Sequence, residues 1–350
     1  MELADLVGLR PVPCAGLLMT LTQRCPLHCA HCSTASTMAG AQPEAGQLQR
    51  MVDSFTADNR PEVLMMTGGE PLLRPDLVAS LATSARRAGT RSAVLTGAFF
   101  AGEYRVPQRI ARAIRAVDHF SVSMDAFHER EVPREAVFAV LRTIMDAGVG
   151  VSVHAAGNGS RDPYLADLVA ATRRAFGDRL PMLVNTVRPV GRAASWAGAR
   201  RVEQDLGRVL PCAMAAWPVV AHDGAVLACC NQDVVDRRPV PAHLALGHVA
   251  SDDWATVRAR ALSSPMLRMI RVVGPTHLVK RYGAGADAAG YCAACRELAA
   301  YPQVTEAVQR IAAGAAGELL DRQAARMQQD AGPVAFVRRY GCAQYADLVA

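Results

Sequence analysis

Six short apolar runs, each followed or bridged by an amphipathic stretch, fill the first two-thirds of this 350-residue chain. The apolar runs lie at 16–22, 62–67, 91–95, 118–124, 150–154 and 181–187. The stretches between them, at 43–55, 75–88, 106–116, 133–147 and 163–176, carry helical periodicity. Pro43-Glu44 and Pro75-Asp76 suit the first turn of a helix. Gly89 and Gly148 stand where a helix would stop. Strand–helix units at roughly thirty-residue spacing predict a parallel sheet with helical crossovers. Six units are too few for a closed eightfold barrel. The expected fold is therefore α/β, a partial (β/α)6 TIM-like barrel whose site lies at the C-terminal ends of the strands.

After about Arg192 the pattern changes. Cysteines return at 212, 229, 230, 292 and 295 among Gly- and Pro-rich connections. This predicts three regions: a barrel core over 1–195, a small cysteine-rich module over 196–300, and a helical extension over 301–350. Within the extension, 304–327 reads as one long helix packed on the surface.

Composition removes several classes. With 51% apolar and 20% charged residues the chain is globular. Its net charge of +6 is spread, with no dense basic run, so no nucleic-acid partner is expected. Glu2 and Asp5 break any signal peptide, and no run approaches the ~18 apolar residues of a membrane span. A cytoplasmic protein without a membrane partner is expected. Lys280 is the single lysine, so Schiff-base chemistry has one candidate, in a segment with no other catalytic sign. Ten cysteines in such a setting point to metal or redox chemistry rather than disulfides.

Cys25, Cys29 and Cys32 follow the first strand with the spacing Cx3Cx2C. Three thiolates hold three irons of a [4Fe–4S] cubane and leave the fourth iron open to a small molecule. The alternatives are a zinc site or three unrelated thiols. His28 and His31, between the cysteines, fit packing better than ligation. After the second strand comes Thr67-Gly68-Gly69-Glu70-Pro71, where the glycines permit close approach of a ligand to the backbone; an ordinary turn is the alternative.

The cysteine loop and the Gly-Gly-Glu segment, on successive strand ends, resemble the two signature motifs of the radical S-adenosylmethionine (SAM) superfamily. The resemblance covers about 16–190. It implies a SAM-binding [4Fe–4S] cluster on Cys25, Cys29 and Cys32, with SAM held by Gly68, Gly69 and Glu70. Glu70 is then an acceptor for the methionine ammonium. Ser123 and Asp125, ending the fourth run, are further candidates for SAM, as is Arg188 in the run Arg188-Pro189-Val190-Gly191-Arg192; a surface arginine is the alternative. His154 reads as a satisfied core histidine, and His128 as a possible substrate contact. The implied chemistry is reductive SAM cleavage to a 5′-deoxyadenosyl radical that takes hydrogen from the substrate.

Cys212, Gly224, Cys229 and the pair Cys292–Cys295 resemble the twitch module, the shorter form of the SPASM domain. The resemblance implies one auxiliary [4Fe–4S] cluster on Cys212, Cys229, Cys292 and Cys295, two clusters in all. Cys230, beside Cys229, makes the second ligand ambiguous, and a zinc site is the alternative. Cys230 and Cys342 are candidate hydrogen donors for an epimerisation. Cys14 precedes the first strand, at the wrong end of the barrel, and inert burial is the alternative for all three. The expected substrate is a small polar compound of aminocyclitol or sugar type, dehydrogenated or epimerised. Only 24 residues precede Cys25, which argues against an N-terminal peptide-recognition domain. Radical cross-linking or epimerisation of a ribosomal peptide is the alternative, and a non-catalytic iron–sulfur electron carrier is the alternative of another class. An electron donor such as flavodoxin or ferredoxin is the expected partner.

Overall fold

The computed structural model describes residues 1–103, 106–197, 209–283 and 290–350. A short helix α1 (Leu3–Gly8) precedes six alternating units: β1 (Gly16–Thr20), α2 (Ala45–Asp53), β2 (Val63–Thr67), α3 (Pro75–Arg87), β3 (Arg91–Thr96), α4 (Gln108–Ala116), β4 (His119–Ser123), α5 (Arg134–Asp146), β5 (Gly150–Gly157), α6 (Pro163–Phe176) and β6 (Met182–Thr186). All six strands are parallel and adjacent in chain order, as a partial barrel requires.

The pleat separates two environments. Leu17, Met19, Leu64, Met66, Val94, Phe120, Val122, Val153 and Val184 are buried against the helices. Burial of each such side chain contributes roughly 1.5–3 kcal/mol. The other face lines the barrel interior. Its members stand side by side in register: Leu18 beside Met65, Thr20 beside Thr67, Ser121 beside Ser152, and Ser123 beside His154. The interior is plugged at the N-terminal end. Leu6 of α1, Trp217, Val63 and Ala93 form one cluster there. Trp217 comes so close that a Cβ on Gly16 would sit 2.2 Å from its ring.

The second region is not detached from the barrel. Strand β7 (Val219–Val220) pairs with β1 in parallel, and β8 (Ala225–Leu227) and β9 (Ala245–His248) continue antiparallel, giving one nine-stranded sheet ordered β6-β5-β4-β3-β2-β1-β7-β8-β9. A one-turn helix α7 (Gln232–Val235) lies between β8 and β9. Beyond β9 follow α8 (Trp254–Ser263), α9 (Pro265–Val272), α10 (Pro275–Tyr282) and α11 (Tyr291–Glu297).

The single helix expected over 304–327 is two helices, α12 (Pro302–Ala312) and α13 (Gly314–Asp330). Ala313 is extended and Gly314 has φ +68°. Buried Arg268 of α9 donates to the carbonyls of Ala312 and Gly314 and fixes the break. A buried ion pair from Arg271 to Asp321, 2.6 Å, ties α13 to α9. The chain ends with α14 (Gly332–Tyr340) and a 3-10 turn (Ala343–Val349). These pack with Leu3, Val7 and Leu183, and the Cys342 N–H donates to the Val184 carbonyl on edge strand β6. The last helix thus covers the open edge of the barrel.

Candidate active site

The loop after β1 carries Cys25, Cys29 and Cys32. It has no helix or strand of its own, and its shape is imposed by neighbouring strand ends. The segment after β2 comes first. The Gly69 N–H donates to the Thr22 carbonyl at 2.6 Å and the Glu70 N–H to the Arg24 carbonyl at 2.8 Å. A Cβ on Gly68 would meet the Thr22 oxygen at 2.2 Å, and one on Gly69 the Arg24 oxygen at 2.5 Å. In this structure the two glycines therefore admit the cysteine loop itself.

Glu70 is fully buried. Its carboxylate accepts from Leu72 N–H, Gly97 N–H and the Thr96 hydroxyl, at 2.8–2.9 Å. Burial pushes its pKa up to about 7 in spite of these donors. The side chain joins the end of β2 to the end of β3, where sequence reasoning assigned it to an incoming ammonium.

The loop after β4 supplies the second clasp. Asp125 accepts from the N–H groups of Phe127 and His128, lies 2.9 Å from His128 Nδ1, and pairs with His31 Nε2 at 3.2 Å. Burial alone would raise the Asp125 carboxyl; its two histidine partners outweigh that and hold it well below the carboxylate range. Burial would likewise lower His128, but Asp125 and the Cys29 thiol bring it up to about 10. His31 also stacks on Phe127, centroids 4.6 Å apart. Glu131 accepts from the His28 N–H at 2.7 Å. Asp125 thus faces the cysteine loop and its histidines. Ser123, one pleat back, lies on the interior face of β4.

The third clasp follows β6. Arg192 donates from Nε to the Cys29 carbonyl at 2.9 Å and from Nη1 to the Ser36 carbonyl at 2.7 Å. The Gly191 Cα lies so near that a Cβ would meet the Cys32 and Ser33 carbonyls at 2.3 Å. Trp196 Nε1 donates to the Ala30 carbonyl. Arg188, the residue singled out in this run, is exposed, whereas Arg192, four positions on, holds the cysteine loop. A fork of donors matched to two carbonyls on one loop is visible only once the fold brings β6 beside β1's loop.

The three thiols fit a cluster. Burial first, then Glu70, Cys29 and Cys32, push the Cys25 thiol up to about 12, so the three lie within electrostatic reach of one another. In the other region, burial followed by Cys292 raises Cys212 to about 11. Burial followed by Cys212 and Cys292 raises Cys295, and Cys229 is raised by burial, Cys230, Cys212 and Cys295. Cys212, Cys229, Cys230, Cys292 and Cys295 thus lie within electrostatic reach of one another, which leaves the ambiguity between Cys229 and Cys230 in place. All are free thiols. Among the described residues, the one trio of donor atoms within 4.8 Å is His31, Asp125 and His128, which is held by its own hydrogen bonds.

Cys230 points toward Met214 and Arg10, with Arg10 Nη2 3.7 Å from its sulfur. Cys342 is buried beside β6, and Cys14 is buried beneath the sheet with its thiol pushed up to about 12.

These motifs on the strand ends of a parallel partial barrel are the ones that suggested the radical SAM class from the sequence. Residues 19–170 match the family model "Radical SAM superfamily", so the chain contains a radical SAM domain. It uses a [4Fe–4S] cluster and SAM. Among curated proteins it is similar to a PqqA peptide cyclase of Streptomyces rochei, 37% identical over 112 residues, 31% of this chain and 29% of that protein. It is also similar to an AdoMet-dependent heme synthase of Methanosarcina barkeri, 35% identical over 109 residues, 30% of this chain and 29% of that protein. These matches span under a third of the relatives' own length. Among solved structures, SuiB of Streptococcus suis superposes with TM-score 0.52 at 13% identity, over 77% of this chain and 74% of that one, which shows a shared fold. Among the described residues no helix is long and apolar enough to cross a membrane.

Proposed function

We propose that this radical SAM enzyme modifies a ribosomally made peptide, forming a cross-link or inverting a centre. The observation that carries the reading is the similarity to PqqA peptide cyclases, which recurs at 30% identity with the protein of Gluconobacter oxydans. It favours the peptide alternative over the aminocyclitol expectation. When bound, the cluster supplies one-electron reductive cleavage of SAM and hence a radical able to take hydrogen from carbon. The protein's own task is to hold the cysteine loop, exclude water and orient the partners. Cys212, Cys229, Cys292 and Cys295 would hold a second cluster in a twitch-like module, closed to exogenous ligands and suited to passing an electron. Ser123 remains a candidate contact for SAM, and flavodoxin or ferredoxin a candidate donor.

The test uses anaerobically reconstituted protein with dithionite and SAM. 5′-Deoxyadenosine should form and be lost in Cys29→Ala. Iron should fall by about half when Cys212 and Cys295 are both replaced by alanine. Precursor peptides with and without a leader, and an aminocyclitol panel, are then screened by mass spectrometry. Loss of two hydrogens from a peptide, or deuterium incorporation from solvent, supports the reading. Turnover confined to the aminocyclitols overturns it.

A further inference from the structure

The turn after α1 places a cation against the second cysteine set. Arg10 follows the end of α1, its N–H bonded to the Val7 carbonyl at 3.1 Å. Trp217, buried at the N-terminal end of the barrel, locks the same turn by donating from Nε1 to the Leu9 carbonyl at 3.0 Å. Its ring also carries the Arg10 guanidinium, with Cζ 4.4 Å from the ring centroid. Stacked in this way the side chain has little freedom. Its Nη2 is directed at sulfur, 3.7 Å from Cys230 Sγ and 3.6 Å from Met214 Sδ.

Arg10 is half-buried and permanently charged. Among the described residues its guanidinium contacts an indole face and two sulfurs, and no carboxylate. A partly buried cation without a counter-charge costs free energy. The other arginines held inside this protein are answered: Arg271 pairs with Asp321, and Arg268 donates to backbone carbonyls.

What surrounds Arg10 is the auxiliary cysteine set. Cys230 adjoins Cys229 and acts electrostatically on both Cys229 and Cys212. Tyr340 is pushed up to about 12 by burial and then by Cys212, with Arg339 and Arg10 pulling the other way, so Arg10 and Cys212 share one neighbourhood. The set also receives a neutral donor, the Asn231 N–H, at 3.4 Å from Cys229 Sγ. Arg296, whose charge acts on Cys295, is paired with Asp233 at 3.8 Å. Arg10 has no such partner among the described residues. A [4Fe–4S] group held by thiolates is an anion, and reduction adds to its negative charge. A fixed cation at its edge favours the reduced form and raises its potential, most where water is excluded.

We propose that Arg10 is the counter-charge of the auxiliary cluster and sets its reduction potential, with Trp217 as the platform that aims it. This rests on the two-cluster reading and adds to it a positioning residue from the far end of the chain. It holds for ligation by Cys229 or by its neighbour Cys230.

The test isolates the auxiliary cluster. Cys25, Cys29 and Cys32 are all replaced by alanine in the full chain, the protein is reconstituted anaerobically, and the remaining cluster is titrated by EPR-monitored reduction. Arg10→Met keeps a stem over Trp217 and removes the charge. Its midpoint should shift to more negative potential with iron content unchanged. Arg10→Lys should lie closer to the starting protein than Arg10→Met does, and Arg322→Met, on the exposed face of α13, should leave the midpoint unmoved. Where Arg10→Met holds too little iron to titrate, Arg10→Gln takes its place. An unchanged midpoint in the neutral variants overturns the inference and leaves the second cluster standing. A triple-alanine protein that binds no iron overturns the two-cluster reading and this inference with it.

Discussion

At the scale of single residues, the cysteine loop depends on side chains that bind no metal. Arg192 is the clearest. Its two charge-assisted bonds reach carbonyls seven residues apart on one loop. Each contributes about 1.5–3 kcal/mol. Lysine has one point donor and cannot span both, so Arg192→Lys should behave nearly as Arg192→Ala. Iron retained after reconstitution and gel filtration should fall in both variants; full retention in the lysine variant would refute the clasp. Glu70 makes a pH prediction. Its folded pKa, about 7, lies above the ordinary 4.5. Its contribution is therefore greatest below 4.5 and is lost as pH rises toward 7, by about 3 kcal/mol. Glu70→Gln is costly at all pH because its amide faces the Gly97 N–H. The stability gap between wild type and variant should nevertheless narrow over that window, as read from urea midpoints. Spacing made the seven cysteines and the Gly-Gly-Glu segment legible. It could not show that Glu70 is consumed by Thr96 and Gly97, or that Asp125 serves His31 and His128, because those partners are brought together by strand order.

At the scale of elements, alternation and helix-start chemistry located every barrel strand and helix to within a few residues. The miss over 304–327 has a clear cause. Periodicity continues across Ala313-Gly314, and the break is written in Arg268, more than forty residues away. The neighbouring Arg271–Asp321 pair is 4% and 6% exposed. Asp321→Ala should cost about 3–5 kcal/mol by stranding the guanidinium. The double change Arg271→Met with Asp321→Leu should recover most of it. Thermal melts of the three proteins decide, and a double variant as weak as the single would show that the pair itself contributes the stability.

At the scale of the whole molecule, the expected three-part division blurs. β7 pairs with β1, so the cysteine-rich region continues the barrel's own sheet, and the last helix seals the base at β6. Removal of residues 332–350 should uncover Leu3, Val7 and Leu183. The shortened protein should bind a dye for exposed apolar surface and melt lower; unchanged melting would show the extension to be dispensable.

The cysteine loop is clasped from the ends of β2, β4 and β6, and the β6 clasp is made by Arg192, some 160 residues after Cys32. The last of these holds exists only once the sixth strand has docked. A chain synthesised only through the loop after its fourth strand therefore carries two of the three holds on its cysteine loop. The loop reaches its final shape only when the chain has folded through its sixth strand, so a fragment ending before Arg192 would present the three cysteines with one hold missing.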